Sequence, residues 1–438
     1  MKRVLFCLCI ISLFLLSGMK VNGQSLYGEK EKYIIVIDPG HGGENKGTVA
    51  NPAFEEKDIL MQTALALVKE LEKYEQLEVH LTRTDDTDIS LRDRAVFAKS
   101  VNADFVFSLH YNASENHTLY GTEVWIPLHA PHHSLAYKFA YLQQLEMQEM
   151  GLFSRGIKTR KNDSGKDYYG ILRECVARDI PAVIIEHCHV DEDRDSAYCD
   201  EISDYEEFGR RDAIAIAKFF GVYEDMTDVE ESLYKIKKNE TISHTLEDFS
   251  GPSQCIISTE EVDYENGVLT IKVNAVDKQT PVMYYTYSLD GGKNFSKLYA
   301  WPDTDMITST YSQEFSLMIN VPDGCVPEIA VRAYNKFDIY RTSNKLKGFD
   351  AFVSPTAPPA VISPEKPVIK EEKKESAIYV IADILKKEPE EVRFTLKRFI
   401  VLMIFITLWM GILLLMLRSI QRVLKNRNDN QSNRNNRK

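Results

Sequence analysis

The sequence predicts a layered α/β domain with a sheet flanked by helices, then an all-β sandwich, then one C-terminal transmembrane helix. Three observations carry this reading. From Tyr33 to about Tyr223, apolar bursts alternate with amphipathic helical stretches, the pattern of strands and helices packed in layers. From about Ser250 to Asn344 the apolar period shortens to two, with Leu269, Ile271, Val273 and Ala275 alternating against Thr270, Lys272 and Asn274, as in half-buried strands. Phe399 to Leu417 is an apolar run interrupted only by Thr407 and Gly411, close to the about 20 residues a bilayer-spanning helix needs.

In the first domain, residues 31–223, strands are expected at Tyr33 to Ile37, Leu77 to Leu81, Asp104 to Leu109 and Ala182 to Ile185. Helices are expected at Ile59 to Tyr74, Leu91 to Ser100, Ser134 to Met150 and Phe208 to Phe220. In the second, residues 250–346, turn chemistry at Asn266-Gly267, Asp290-Gly291-Gly292 and Pro322-Asp323-Gly324 is spaced as in an immunoglobulin- or fibronectin-like sandwich. Cys255 and Cys325 either bridge its sheets or stay as buried thiols. Tyr284, Tyr285, Tyr287, Phe295 and Trp301 exceed what one inward face holds, so some are expected at the surface, where they mark a docking module unless the domain is a passive spacer. The partner of this domain is unknown from sequence. A proline-rich, charged spacer (354–375) and a juxtamembrane helix (376–397) precede the span at 399–417.

Composition narrows the class. A hydrophobic share of 44% in 438 residues excludes wholesale disorder, and a net charge of -12 excludes a nucleic-acid-coating protein. Seven cysteines are too few for a disulfide scaffold in a chain of this length. Lys2 and Arg3 precede an apolar run from Val4 to about Leu16, with small residues at Val21 and Gly23. That layout predicts a signal peptide over residues 1–23. After the span, the tail 418–438 carries Arg418, Arg422, Lys425, Arg427, Arg434, Arg437 and Lys438, which places it in the cytoplasm. The chain is therefore expected in the cell membrane as a single-pass protein, with Gln24 to about Lys397 on the outer, cell-wall side.

The residues that carry chemistry cluster in the first domain. Ile34 to Ile37 runs into Asp38-Pro39-Gly40-His41-Gly42-Gly43, a strand ending in a glycine-rich turn that presents one histidine. Phe105 to Leu109 ends in His110, followed by Asn112, and Val183 to Ile185 ends in Glu186-His187. Ligand sites of open α/β sheets lie beyond the carboxyl ends of the strands, so three such endings in one sheet are expected to converge. Two histidines with one carboxylate make a three-ligand zinc site with an open position, the catalytic arrangement. Glu44, Glu55 and Glu56 all qualify as the carboxylate, and spacing does not choose among them.

The order of these motifs resembles the zinc-dependent N-acetylmuramoyl-L-alanine amidases. It comprises Ile37 to Gly47, Glu56-Lys57-Asp58, Leu81-Thr82-Arg83-Thr84, Leu91-Arg92-Asp93-Arg94, Ser108 to Ala113, Arg155-Gly156 and Pro181 to Glu186. The resemblance covers about Tyr33 to Tyr223 and nothing after it. It implies one zinc held by His41, Glu56 and His110, with Glu186 as the catalytic acid/base. It implies a peptidoglycan substrate, cut between N-acetylmuramic acid and the L-alanine of the stem peptide, with Asn112, Arg155 and His189 as candidate substrate contacts. Arg83 and Arg94 fall at family positions and are expected to form fold-holding ion pairs. Two departures stand out: Glu186-His187-Cys188-His189 replaces the family's usual Gly-Phe-containing run, and Asn45 stands where an acidic residue is frequent. Two other functions compete, a catalytically silent wall-binding scaffold and a zinc peptidase acting on the stem peptide. A thiol catalyst built on Cys175, Cys188 or Cys199 has no orienting partner in the sequence, and His129, His132 and His133 read as an exposed loop.

Overall fold

The computed structural model describes residues 25–49, 55–226, 229, 247–304 and 311–353. The signal peptide, the spacer, the juxtamembrane helix, the 399–417 span and the basic tail expected from sequence all lie outside the described residues. Among the described residues no helix is long and apolar enough to cross a membrane. The two folded domains belong to one compact unit that ends at Thr356.

The first domain is built on β1 (Tyr33–Pro39), β2 (Leu77–Leu81), β3 (Phe105–Asn112), β4 (Thr122–Trp125), β5 (Ser154–Lys158) and β6 (Ala182–His189), in the sheet order β2-β1-β3-β6-β4-β5. The pairs β1/β2, β1/β3 and β3/β6 are parallel, whereas β4 runs antiparallel to β6. Helices are α1 (Glu56–Leu71), α2 (Leu91–Ser100), α3 (His132–Glu149), α4 (Gly170–Val176), α5 (Asp193–Ser196) and α6 (Ile202–Phe219). Alternate strand residues face opposite layers. Ile35, Ile37, Phe105, Phe107, Val183 and Ile185 pack with Leu60, Leu67, Phe139 and Phe208 of α1, α3 and α6. Val36, Val106 and Ile184 pack with Ala95, Ala98 and Leu172 of α2 and α4. Each fully buried Leu, Ile or Phe contributes about 1.5–3 kcal/mol, and both faces are covered, so the strand ends that carry chemistry are held on a rigid slab.

The expected boundaries shift in informative places. Residues ahead of 31 pack on the first domain: the Leu26 amide donates to the Phe219 carbonyl at 2.8 Å and Tyr27 packs edge-on against Tyr33 and Phe219. Helix α1 opens at Glu56, three residues before the apolar stripe begins at Ile59, so the carboxylate lies in its first turn. Strands β4 and β5 escape the hydrophobic pattern because they bury Glu123, Arg155 and Lys158. His132 and His133 are not in an exposed loop: both are buried at the start of α3, and His133 Nδ1 lies 2.8 Å from the Pro127 carbonyl.

The second domain pairs two antiparallel sheets over one core. Strands β7 (Gln254–Asp263), β8 (Val268–Val276) and β11 (Glu314–Asn320) form the order β11-β8-β7. Strands β9 (Val282–Ser288), β10 (Tyr299–Ala300), β12 (Ala330–Asn335) and β13 (Tyr340–Thr342) form β10-β9-β12-β13. Leu269, Ile271, Val273 and Ala275 point inward as their alternation requires, and meet Val331, Ala333 and Trp301. The core extends past residue 346 to Phe352. Cys255 and Cys325 are free thiols.

Surface exposure of the surplus aromatics is not observed for Tyr284 or Trp301, which are 0% and 2% exposed. Trp301 fills the sandwich core, while Tyr284 faces the other way, joining Met283 and Leu298 against Tyr120 and Phe153 of the first domain. The Tyr284 hydroxyl donates to the Tyr120 carbonyl at 2.6 Å. Aromatics on both faces of β9 are accounted for because one face makes the domain core and the other packs on the neighbouring domain.

Candidate metal centre and active site

Strands β1, β3 and β6 are neighbours in the sheet, so His41, His110 and Glu186 arrive at the same edge. In register, His110 lies beside Glu186, which in turn lies beside Glu123 of β4. Glu56 reaches this row from the first turn of α1. His41 Nε2 is 3.2 Å from Glu56 Oε2, and His110 Nδ1 is 3.2 Å from Glu56 Oε1. The three ligand atoms lie within 4.8 Å of one another, the only such group of three among the described residues. Glu44 is exposed and outside the group, and Glu55 turns to Lys46 and Lys57. The geometry thus picks Glu56 from the three carboxylates that spacing left open.

The backbone around the cluster is shaped for it. His41 sits at φ 61, between Gly40 and the left-handed Gly42, and an added Cβ on Gly47 would stand 2.3 Å from Glu56 Oε2 and 2.8 Å from the His41 ring. Only glycine leaves that space open. Two buried arginines grip the turn by its carbonyls: Arg94 donates to those of Pro39 and His41, and Arg83 to those of Pro39 and Gly40. Arg94 also forms the expected ion pair, 2.7 Å from Asp38. Among the described residues Arg83 has no such pair and works through the carbonyls of Pro39, Gly40, Lys57 and Asp85 instead.

The donor set fits zinc: two imidazole nitrogens and one carboxylate oxygen converge and leave a coordination position open. His41 Nδ1 lies 2.9 Å from Asn45 Oδ1, an acceptor that favours a proton on Nδ1 and leaves Nε2, the atom facing Glu56, to serve as the ligand once a metal is bound. Asn45 therefore does the orienting work that a carboxylate partner would do. Burial opposes ionisation of Glu56, yet hydrogen bonds from His110 and His41 hold its carboxyl well below the usual range. Glu186 moves the other way, raised well above the usual carboxylate range by burial and then by the charges of Glu56 and Glu123. Two carboxylates pushed in opposite directions suit a ligand and an acid/base respectively.

Of the three expected substrate contacts, Asn112 is half-buried whereas Arg155 and His189 are buried. Asn112 donates to Glu123 Oε1 at 3.2 Å. Arg155 is 2% exposed, bound to Glu123 and to Asp338 of the second domain, which leaves it no free face for substrate. His189 is likewise buried, its Nδ1 3.1 Å from the Gly121 carbonyl. His187 packs behind β6, between the His110 carbonyl at 2.9 Å and Asp212 at 2.7 Å. Glu123 is the residue that sequence reasoning missed. Its signal was a lone acidic residue in an apolar stretch, Thr122-Glu123-Val124-Trp125, matched by Arg155 and Lys158 further along the chain.

Comparison with known proteins identifies the family of the first domain. The N-acetylmuramoyl-L-alanine amidase family matches residues 35–218. The chain is 30% identical over 204 residues to an N-acetylmuramoyl-L-alanine amidase, CwlM, of Bacillus licheniformis, a match covering 46% of this chain and 73% of that relative. It is 33% identical over 154 residues to the probable cell wall amidase LytH of Staphylococcus aureus, covering 35% of this chain and 46% of that relative, under half its length. The crystal structure of an N-acetylmuramoyl-L-alanine amidase from Clostridium difficile 630 aligns at 30% identity and a TM-score of 0.39, over 43% of this chain and 97% of that one. Through residues 35–218, the chain belongs to the N-acetylmuramoyl-L-alanine amidase family.

Proposed function

We propose that this protein hydrolyses the amide bond between N-acetylmuramic acid and the L-alanine of the peptidoglycan stem, as a zinc enzyme facing the cell wall. The convergence of His41, Glu56 and His110 beside Glu186 carries the reading. Bound there, zinc supplies Lewis acidity that polarises the carbonyl and brings the pKa of water down to about 7. Glu186, one register step from His110, takes the proton from the attacking water and returns it to the departing amine, work worth about 10²–10⁴-fold in rate. Its raised proton affinity suits both halves of that task. Glu123 holds the far flank of Glu186 through the β4/β6 register, and Asn45 holds the His41 tautomer.

Retention of all four side chains in one place speaks against a silent scaffold. A peptidase reading would draw on His41-Gly42-Gly43-Glu44 as its motif, and Glu44 stands outside the cluster. The two antiparallel sheets over a shared core support an immunoglobulin- or fibronectin-like sandwich for residues 250–346. Attachment to the cell membrane by residues 399–417, with the enzyme outside, is supported by the leader and the basic tail, and such tethering keeps a lytic activity at its insoluble substrate. Protease added to intact cells is expected to remove the first domain and spare an epitope placed after Arg418; protection of the first domain would overturn that topology. The chemistry is tested by loading zinc into metal-free protein: activity and one equivalent of metal should return together, and full activity of a metal-free His110→Ala protein would refute it.

A further inference from the structure

We propose that the second domain is a working part of the hydrolytic centre, and that Asp338 is a positioning residue acting on Glu186 through Arg155 and Glu123. The inference rests on the function proposed above.

The contacts run without a break from one domain to the other. Asp338 Oδ2 accepts from Arg155 NH2 at 2.7 Å, and Arg155 Nε donates to Glu123 Oε2 at 2.7 Å. Lys158 donates to the same oxygen at 2.6 Å. The other oxygen, Glu123 Oε1, accepts from Asn112 of β3 at 3.2 Å and from Trp125 at 3.1 Å. Glu123 is the register partner of Glu186, and Asn112 stands two residues past His110. One carboxylate thus clasps β3, β4 and β5 around both sides of the strand that carries Glu186.

Arg155, Lys158 and Glu123 are at most 3% exposed with both domains in place, so two cations of the first domain lie buried beside one carboxylate of that domain. A buried charge left without its partner is strongly unfavourable. Asp338 of the second domain gives Arg155 a carboxylate partner at 2.7 Å, and the same domain brings the buried Lys336, so its contribution is a partner for Arg155 and not a change in net charge. Asp338 is fixed in its aim: it sits at φ 64, its amide donating to the Asn335 carbonyl at 3.1 Å, while Asn335 Oδ1 accepts from the amides of Phe337 and Ile339. Neighbouring bolts hold the same edge, with the Lys336 ammonium on the Ile157 carbonyl and the Tyr284 hydroxyl 3.1 Å from Arg155 NH1. With Asp338 absent, Arg155 turns toward water or over-engages Glu123, and the lateral support of Glu186 goes with it.

The test uses the full chain in detergent, with a soluble glycan fragment bearing one stem peptide as substrate. Asp338→Asn is expected to lower kcat by about 10–100-fold, the scale of small displacements around a reacting group, with KM within twofold of wild type and metal content unchanged. Asp338→Glu is expected to recover most of the loss. A folded Asp338→Asn protein with wild-type kcat, even one of lower melting temperature, would reduce Asp338 to a fold-stabilising contact and overturn the inference. Should Asp338→Asn not fold, Tyr284→Phe decides, because it keeps the ring packing and removes only the hydroxyl, which accepts from Arg155 and donates to the Tyr120 carbonyl. A fall in its kcat at constant KM supports the proposal, and an unchanged kcat overturns it. An inert wild-type chain would overturn the proposed function together with this inference, whereas an active wild type with indifferent variants overturns this inference alone.

Discussion

Gly40 has no side chain, and the His110 ring occupies the place where one would stand: a Cβ there would lie 2.3 Å from Cε1 and 2.6 Å from Nε2. The glycine-rich turn after β1 is thus built around the second histidine as well as presenting the first. Gly40→Ala is expected to push the His110 ring out of line, lowering metal affinity by at least about 10-fold, comparable to losing a ligand's orienting partner. Metal content by mass spectrometry, with circular dichroism to confirm the fold, checks this; unaltered metal and activity would show that the ring yields freely.

Asn45 should matter through His41 alone. Asn45→Leu removes the acceptor 2.9 Å from Nδ1, and metal affinity is expected to fall about 10–100-fold. Asn45→Asp keeps an acceptor and should retain affinity. Competition with a fluorescent chelator measures both.

Glu186→Gln preserves shape but accepts no proton, so turnover should drop about 10²–10⁴-fold while metal stays bound. Loss of metal in this variant would make Glu186 a ligand instead.

Stability should fall on acidification through His189. Burial, and then the Arg155 charge, push its imidazole down from 6.5 to about 3. Between those values the unfolded chain binds a proton that the folded chain does not, so this contribution is complete above about pH 6.5 and is lost progressively as pH falls toward 3. Asp195, raised from 3.8 to about 6 by burial, acts oppositely over its smaller window. His189→Gln is therefore expected to narrow the difference in urea midpoint between pH 7.5 and pH 4.5. A difference as large as in the wild type would contradict this assignment.

The parallel half of the sheet and its ligand ends were legible because period and composition agree there. Val36 and Ile37 read as strand, and Gly40 and Gly42 as a turn, whatever the tertiary context. Strands β4 and β5 were not legible. Glu123, Arg155 and Lys158 are buried as ion-paired partners, with Asp338 on the far side of Arg155, and no local pattern reports a partner 32 residues away. Tyr284 was misjudged for a similar reason. Its surplus over one apolar face was visible in the sequence, but the surface it covers belongs to a domain more than a hundred residues earlier. Spacing could not select Glu56 because α1 begins ahead of its apolar stripe; the family resemblance implied it, and the fold brings it to both histidines.

Mass spectrometry of the products from purified peptidoglycan digested by the full chain tests the central claim most directly, with and without a zinc chelator. Release of stem peptides with a free L-alanine amino terminus, leaving N-acetylmuramic acid intact on the glycan and stopping when the chelator is present, is the expected result. Cleavage within the stem peptide, or no cleavage by zinc-loaded protein, would contradict it.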